Sequence, residues 1–363
     1  MIKEYMFKVI LIFSLLLNCA LAFANSSAVI LQYHHVSDET PASTSISPEK
    51  FKAHLNWIKE HNFEVHPLPN IVKKLKSKQK LSSSKVLAIT FDDANRSVCE
   101  IAWPILEQFN LPFTLFISTE GVEKGFESQC SWAQLKAIHN SGLMTVANHS
   151  HQHLNMISGK LFEQGNWDNL VKNEVVKAQD LIEENIGQAS RLFAYPYGEY
   201  NSSLATIVTK LGYIGFGQHS GAMGFESDFR ALPRFPASGK FANLDTLSVK
   251  LYSLAFPANL AISTENPINL SSNDNPPTLR LTPLNKSLVN TTNCFNGQGE
   301  QLPIKTVNNT LVITAKQPLN IGRHRYTCTS KSDKEGRFYW LSHQWLIEDN
   351  HSSWFSKIYK SWL

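Results

Sequence analysis

The chain has 363 residues, more than one hydrophobic core usually serves, so a large domain with a smaller companion is expected. Its 42% hydrophobic and 18% charged content excludes a globally disordered chain. A net charge of +4 gives no argument for nucleic-acid binding, although a mildly basic surface suits an anionic cell wall or matrix.

At the N-terminus, Lys3 and Lys8 flank the start of an apolar run, Val9 to Leu17, and Ala22-Phe23-Ala24 offers a small-x-small cleavage site. The run is about half the length a membrane-crossing helix needs, so residues 1–24 read as a signal peptide. An uncleaved anchor is the alternative. Cys19 stands where a lipoprotein cysteine would, but Asn18 before it fits poorly. No later stretch is long and apolar enough for a transmembrane span, so an exported protein is expected, periplasmic, cell-surface or secreted. Cys99, Cys130, Cys294 and Cys328 then remain, an even count that favours disulfides in an oxidising compartment. Three pairings exist, and the domain division below favours Cys99–Cys130 with Cys294–Cys328.

From residue 25 to 262 short apolar runs alternate with amphipathic stretches. Strands are predicted at Val29–Tyr33, Val86–Phe91, Phe113–Ile117, Met144–Asn148, Leu192–Tyr195 and Ile214–Phe216. Ser47-Pro48 caps a helix carrying Phe51, Leu55 and Ile58 on one face, and Val171, Val175, Ala178 and Ile182 form a second helical stripe. This pattern is α/β: a parallel sheet covered on its faces, or a barrel. Residues 263–277, rich in Ser, Asn and Pro, read as a linker. Residues 278–363 read as a small all-β domain, a sandwich, with strands near Leu279–Leu281, Leu311–Thr314, Arg325–Thr329 and Phe338–Leu341. Tyr326 two residues before Cys328, with Cys294 upstream, is similar to the tyrosine corner of immunoglobulin-like sandwiches. Trp354, Ile358 and Trp362 make a last helical stripe that needs a partner.

Two clusters carry chemistry. Ala88 to Asp93 is an apolar strand ending in adjacent carboxylates, which point to opposite sides and so can take different tasks. Taken alone, the pair reads as well as a helix cap. His149, His151 and His153 follow a second predicted strand. Two histidines with one carboxylate and an open position make a catalytic metal site. A solvated His-rich loop is the alternative, but two such clusters at strand ends of one domain are hard to reconcile with coincidence.

Thr90-Phe91-Asp92-Asp93, His149-Ser150-x-x-His153 and Tyr195-Pro196-Tyr197-Gly198 resemble, in order, the first three signature motifs of carbohydrate esterase family 4, the polysaccharide deacetylases with a NodB homology domain. The resemblance spans about residues 28–250. It implies a distorted (β/α) barrel, a metal held by Asp93, His149 and His153, and Asp92 as general base. It also implies Tyr197 as an oxyanion donor, with Tyr195 beside the substrate. The metal would be divalent, zinc first, with cobalt, nickel or iron as alternatives.

The late Leu-x-His motif that usually bears the general acid is absent after Gly198. Instead Val29 to Tyr33 runs into His34 and His35, which resembles the permuted branch of the family, the poly-β-1,6-N-acetylglucosamine deacetylases. There His34 matches the acid. The arginine often found three residues before the last Tyr-containing motif position is replaced by Ala194, which leaves Arg234 or Arg191 to orient the base. The resemblance implies a polysaccharide partner and release of acetate from N-acetylglucosamine residues of an extracellular or cell-wall glycan. An O-acetyl esterase with the same site and a non-catalytic glycan-binding protein are the competing readings. Phe91, Tyr195, Tyr197 and Trp132 are candidates to face sugar rings.

Overall fold

The computed structural model describes residues 26–158, 161 and 165–349. Residues 1–24, read above as a signal peptide, with Cys19 among them, and the stripe of Trp354, Ile358 and Trp362 lie outside the described residues.

Six strands form the frame of the larger unit: β1 (Ser27–Tyr33), β2 (Val86–Asp92), β3 (Phe113–Ile117), β4 (Met144–Asn148), β5 (Leu192–Ala194) and β6 (Ile214–Phe216). They lie side by side in chain order, every neighbour parallel. The chain alternates strand and helix, so each return crosses a face of the sheet and covers it. Helix α1 (Pro48–Glu60) starts where predicted: the Ser47 side chain accepts from the Lys50 N–H, and Phe51, Leu55 and Ile58 are buried. Helix α2 (Trp167–Ile186) buries Val171, Val175, Ala178 and Ile182.

The sheet curls, and one segment joins its two edges. Leu232 bridges Phe216 of β6, while Phe235 and Pro236 pair with Leu31 and Gln32 of β1. Side chains alternate across each strand. Val29, Leu31 and Tyr33 face the helices, with Leu87, Ile89 and Phe91 beside them. Ala28, Ile30, Ala88 and Phe116 face the interior of the curl. The same parity sends Gln32, Thr90 and Asp92 inward near the C-terminal ends of their strands. Apolar filling there gives way to a polar mouth, and loops beyond such strand ends are where α/β folds build sites.

The remaining strands form two further sheets. One contains β9 (Asn293–Phe295), β12 (Gly322–Lys331) and β13 (Phe338–Glu348); the other contains β7 (Ala258–Ile262), β8 (Thr278–Pro283), β10 (Ile304–Val307) and β11 (Thr310–Thr314). Leu279, Leu281, Ile313, Tyr326 and Trp345 share a core between them. Three expectations are corrected here. Residues 263–277 are no free linker: Ile268 and Asn269 pair with Ile347 and Glu348, and the Asn266 side chain bonds the backbone of Gln344 and Leu346. The predicted boundary at 262 also moves, because Leu254 and Ala255 already pair with β13.

The third correction concerns the immunoglobulin-like reading. Tyr326 does donate its hydroxyl to the Pro277 carbonyl. The Cys294–Cys328 disulfide, however, joins residues opposite each other on β9 and β12 of one sheet. The immunoglobulin bond links two sheets. The second disulfide, Cys99–Cys130, is present as expected and braces the loop after β2, where the Cys130 N–H donates to the Ala94 carbonyl.

Strand β13 is apolar on both faces for a reason. Trp345 and Ile347 enter the sandwich core, whereas Leu346 packs with Phe193 and Tyr195 of the larger unit. Trp340 meets Phe235 edge-on at 5.5 Å between ring centres.

Candidate active site

Three loops at the C-terminal ends of β2, β4 and β5 converge. Each turns through backbone that ordinary residues seldom adopt: Asp93, Ala94, Ser150, His153 and Tyr197 all have φ between 53° and 76°. Local bonds hold these turns. The Ser150 N–H donates to Asn148 Oδ1, and the His153 N–H donates to Ser150 Oγ. Asn148 is itself fixed by donating to the Val175 carbonyl of α2.

The turns bring Asp93, His149 and His153 together, with one ligand atom from each within 4.8 Å of the others. His149 Nδ1–H donates to the Ala194 carbonyl at 2.8 Å, so Nε2 carries a lone pair. That lone pair faces Asp93 Oδ1 at 3.3 Å, and His153 Nε2 lies 3.4 Å from the same oxygen. Buried Asp93 Oδ1 and His149 Nε2 have no hydrogen-bond partner. Acceptors aimed at one another in a buried pocket fit a cation between them, and a divalent ion suits this donor set. Burial pushes His153 down to about 4, which leaves its imidazole neutral at pH 7, the form that ligates. His151, between His149 and His153, turns away: Nδ1 meets Thr119 Oγ1 at 2.9 Å and Nε2 lies 3.7 Å from Glu123.

Asp92 is fully buried, and its carboxylate is held from two sides. Arg234 donates to both oxygens, at 2.6 and 2.8 Å, and Gln32 Nε2 donates to Oδ2 at 2.6 Å. Burial raises its pKa, but Arg234, His149 and His34 outweigh it, so the group stays ionised below the usual carboxylate value. His34 Nε2 lies 3.9 Å from Asp92 Oδ2 at the partly open mouth. His35, next along, has a pKa lowered chiefly by burial.

The structure thus gathers Asp92, Asp93, His149, His153, His34, Tyr197 and Arg234. It does not bring in Arg191, which sits at the surface with Tyr213 and Glu183. Its strand position is at the start of β5, the opposite end from the site. Tyr195 is also removed from substrate: its ring is buried and its hydroxyl donates to the Arg230 carbonyl. Phe91 is buried among Tyr33, Phe51 and Phe113, and Trp132 packs on that same core. Of the predicted aromatics, only Tyr197 lies against the site, its ring 4.5 Å from that of His153. Gln32 was missed; a lone amide inside the apolar run of β1 was the signal.

The sequence profile of the polysaccharide deacetylase family matches residues 79–215, which contain the acid pair, both histidines and the Tyr197 loop. The chain is 25% identical over 240 residues to a poly-beta-1,6-N-acetyl-D-glucosamine N-deacetylase of Staphylococcus epidermidis, covering 61% of this chain and 82% of that one. It is 26% identical over 235 residues to the Staphylococcus aureus protein of the same name, covering 59% and 80%. Among solved structures, a Streptococcus pyogenes deacetylase, PplD, in complex with acetate shares the fold with TM-score 0.56 at 21% identity, over 63% of this chain and 99% of that one. IcaB from Ammonifex degensii does so with TM-score 0.56 at 22% identity, over 62% and 97%. The curled sheet, the order of the motifs and these matches agree: residues 79–215 carry a polysaccharide deacetylase domain, and the chain is similar in sequence to N-deacetylases and in fold to solved deacetylase structures.

Proposed function

We propose that the protein removes N-acetyl groups from N-acetylglucosamine residues of an exported polysaccharide, with poly-β-1,6-N-acetylglucosamine the favoured glycan, and that it does so with a divalent metal outside the cytoplasm. The observation that carries the reading is the unpartnered pair of Asp93 Oδ1 and His149 Nε2, 3.3 Å apart with His153 beside them and Asp92 next in sequence. The names of the staphylococcal relatives support the glycan, as does His34 on the first strand. Among the described residues, no helix is long and apolar enough to cross a membrane.

Asp93, His149 and His153 would hold the ion, zinc being our first choice. When bound, it supplies a Lewis acid that polarises an acetamide carbonyl and makes a neighbouring water more acidic. Asp92 accepts the proton of the attacking water, and Arg234 with Gln32 fixes the direction in which its carboxylate faces. A general base in this position contributes about 10²–10⁴-fold. The Tyr197 backbone N–H serves as donor to the developing oxyanion. His34 delivers a proton to the departing sugar amine, which is too basic to leave as an anion. The C–N bond breaks, water supplies the new C–O bond, and acetate and a free amine result. The β-rich region supports the barrel in this scheme, since β13 packs into it.

Acetate release from poly-β-1,6-N-acetylglucosamine, chitooligosaccharide, peptidoglycan and an O-acetylated glycan, each with and without chelator, tests the reading. We expect chelator-sensitive release from the first. Release confined to the O-acetylated glycan would replace the amidase by an esterase, and release untouched by chelator would remove the metal.

A further inference from the structure

The loop carrying Tyr197 is anchored from outside the barrel. Glu199, two residues on, is 3% exposed, and its Oε1 accepts from Arg323 Nε at 2.6 Å. Arg323 belongs to β12 of the C-terminal sheets. Its guanidinium carbon also lies 5.9 Å from the centre of the Tyr197 ring, and that ring lies 4.5 Å from the ring of His153. Arg323, Tyr197 and His153 therefore form a line of contacts, the two rings meeting edge to face, from the β-rich region to the metal-ligand cluster.

The loop has little room to settle elsewhere. Tyr197 sits at φ +61° and Gly198 at φ +69°, and a Cβ on Gly198 would lie 2.4 Å from Gln218. A carboxylate buried this deeply needs a positive partner, and the arginine fork with its planar face supplies both the charge and the cover over Tyr197. Arg323 is the ion-pair partner of Glu199 among the described residues.

We propose that Arg323 is a positioning residue of the active site: by pairing with Glu199 it fixes the 195–200 loop and, through it, Tyr197 against His153. The C-terminal sheets then complete the catalytic site. This deepens the deacetylase reading and rests on it.

The test uses the full chain with Arg323→Ala, Arg323→Lys and Arg323→Ala combined with Glu199→Gln. Three quantities are read: kcat and KM for acetate release, bound metal, and amide exchange at Gly198 and Glu199, whose N–H groups bond to Tyr195 and Pro196 carbonyls within the loop. Arg323→Ala should lower kcat about tenfold or more, since small displacements of catalytic groups are costly. KM and metal content should stay within twofold, and exchange should quicken at those two amides rather than throughout. Arg323→Lys should recover part of the rate, and so should Glu199→Gln added to Arg323→Ala, because it removes the unpaired charge. Wild-type kcat with unchanged loop exchange in Arg323→Ala overturns the proposal. So does exchange that rises uniformly with loss of activity, which would make Arg323 a global stabiliser. If the wild-type protein released no acetate from any glycan, the functional reading would fail, while the exchange comparison, run with and without chelator, would still decide whether Arg323 holds the loop.

Discussion

Arg234 grips both oxygens of Asp92, at 2.6 and 2.8 Å, from the segment that bridges the two edges of the curled sheet. Closing the sheet and orienting the Asp92 carboxylate are thus tasks of one residue stretch. Its neighbour Phe235 carries the contact with Trp340 of β13.

Removing Arg234 should therefore affect stability and turnover together. Both side chains are fully buried, so Arg234→Ala leaves an uncompensated charge and should cost about 3–5 kcal/mol in denaturant unfolding. Arg234→Lys should keep part of the stability and lose the two-pronged orientation, with acetate release still reduced. Unchanged unfolding of Arg234→Ala would deny the pair its structural weight.

Metal and turnover should separate by residue. His149→Ala should fold yet lose bound metal and activity together, read by elemental analysis and acetate release. Asp92→Asn should keep the metal and lose turnover by about 10²–10⁴-fold. His34→Ala should keep the metal and mainly slow expulsion of the amine. Equal loss in His35→Ala with none in His34→Ala would shift the acid by one position.

Acid stability depends on two buried histidines that are not metal-ligand candidates. Burial pushes His219 down to about 4 and His343 to about 3. The folded state refuses a proton that the unfolded chain accepts at its ordinary pKa of about 6.5. Stability should hold above that pH and fall as pH drops from 6.5 towards 3. His343→Leu should weaken this dependence, because neither nitrogen of His343 has a partner to lose. Parallel stability curves for variant and wild type between pH 6.5 and 4 would contradict it.

The disulfides close loops of 31 and 34 residues, and each should contribute about 3–4 kcal/mol by constraining the unfolded chain. Non-reducing peptide mapping should recover Cys99 with Cys130 and Cys294 with Cys328. Reducing the first should also lower turnover, since it braces the loop that follows Asp93.

Truncation after Ile262 should fail to give a folded barrel, as Leu346 and Trp340 leave with β13 and uncover Phe193, Tyr195 and Phe235. A soluble, cooperatively unfolding fragment would show the sheets to be dispensable.

The barrel strands were legible because each is a short apolar run between polar stretches, and all six begin or end where the pattern placed them. The site was legible because Asp92, Asp93, His149 and His153 follow strands directly in sequence. Arg234 could be named only as one of two candidates, since its place depends on how residues 232–236 pair across the curl. Tyr195 looked like a site residue because it shares a motif with Tyr197, yet the left-handed turn at Tyr197 takes one ring to the site and leaves the other in the core. The segment 263–277 misled through composition: its Asn side chains cap backbone groups of β13 and of neighbouring loops instead of facing solvent.

Strand β13 has a consequence for when the fold can form. Leu346 completes a cluster whose other members include Phe193 and Tyr195, about 150 residues earlier. Contacts at such separation are entropically slow to close. A chain appearing from its N-terminus cannot bury that face until nearly all of it has emerged. Synthesis of β13 would then precede the final collapse, so the same strand that seals the barrel also delays its closure.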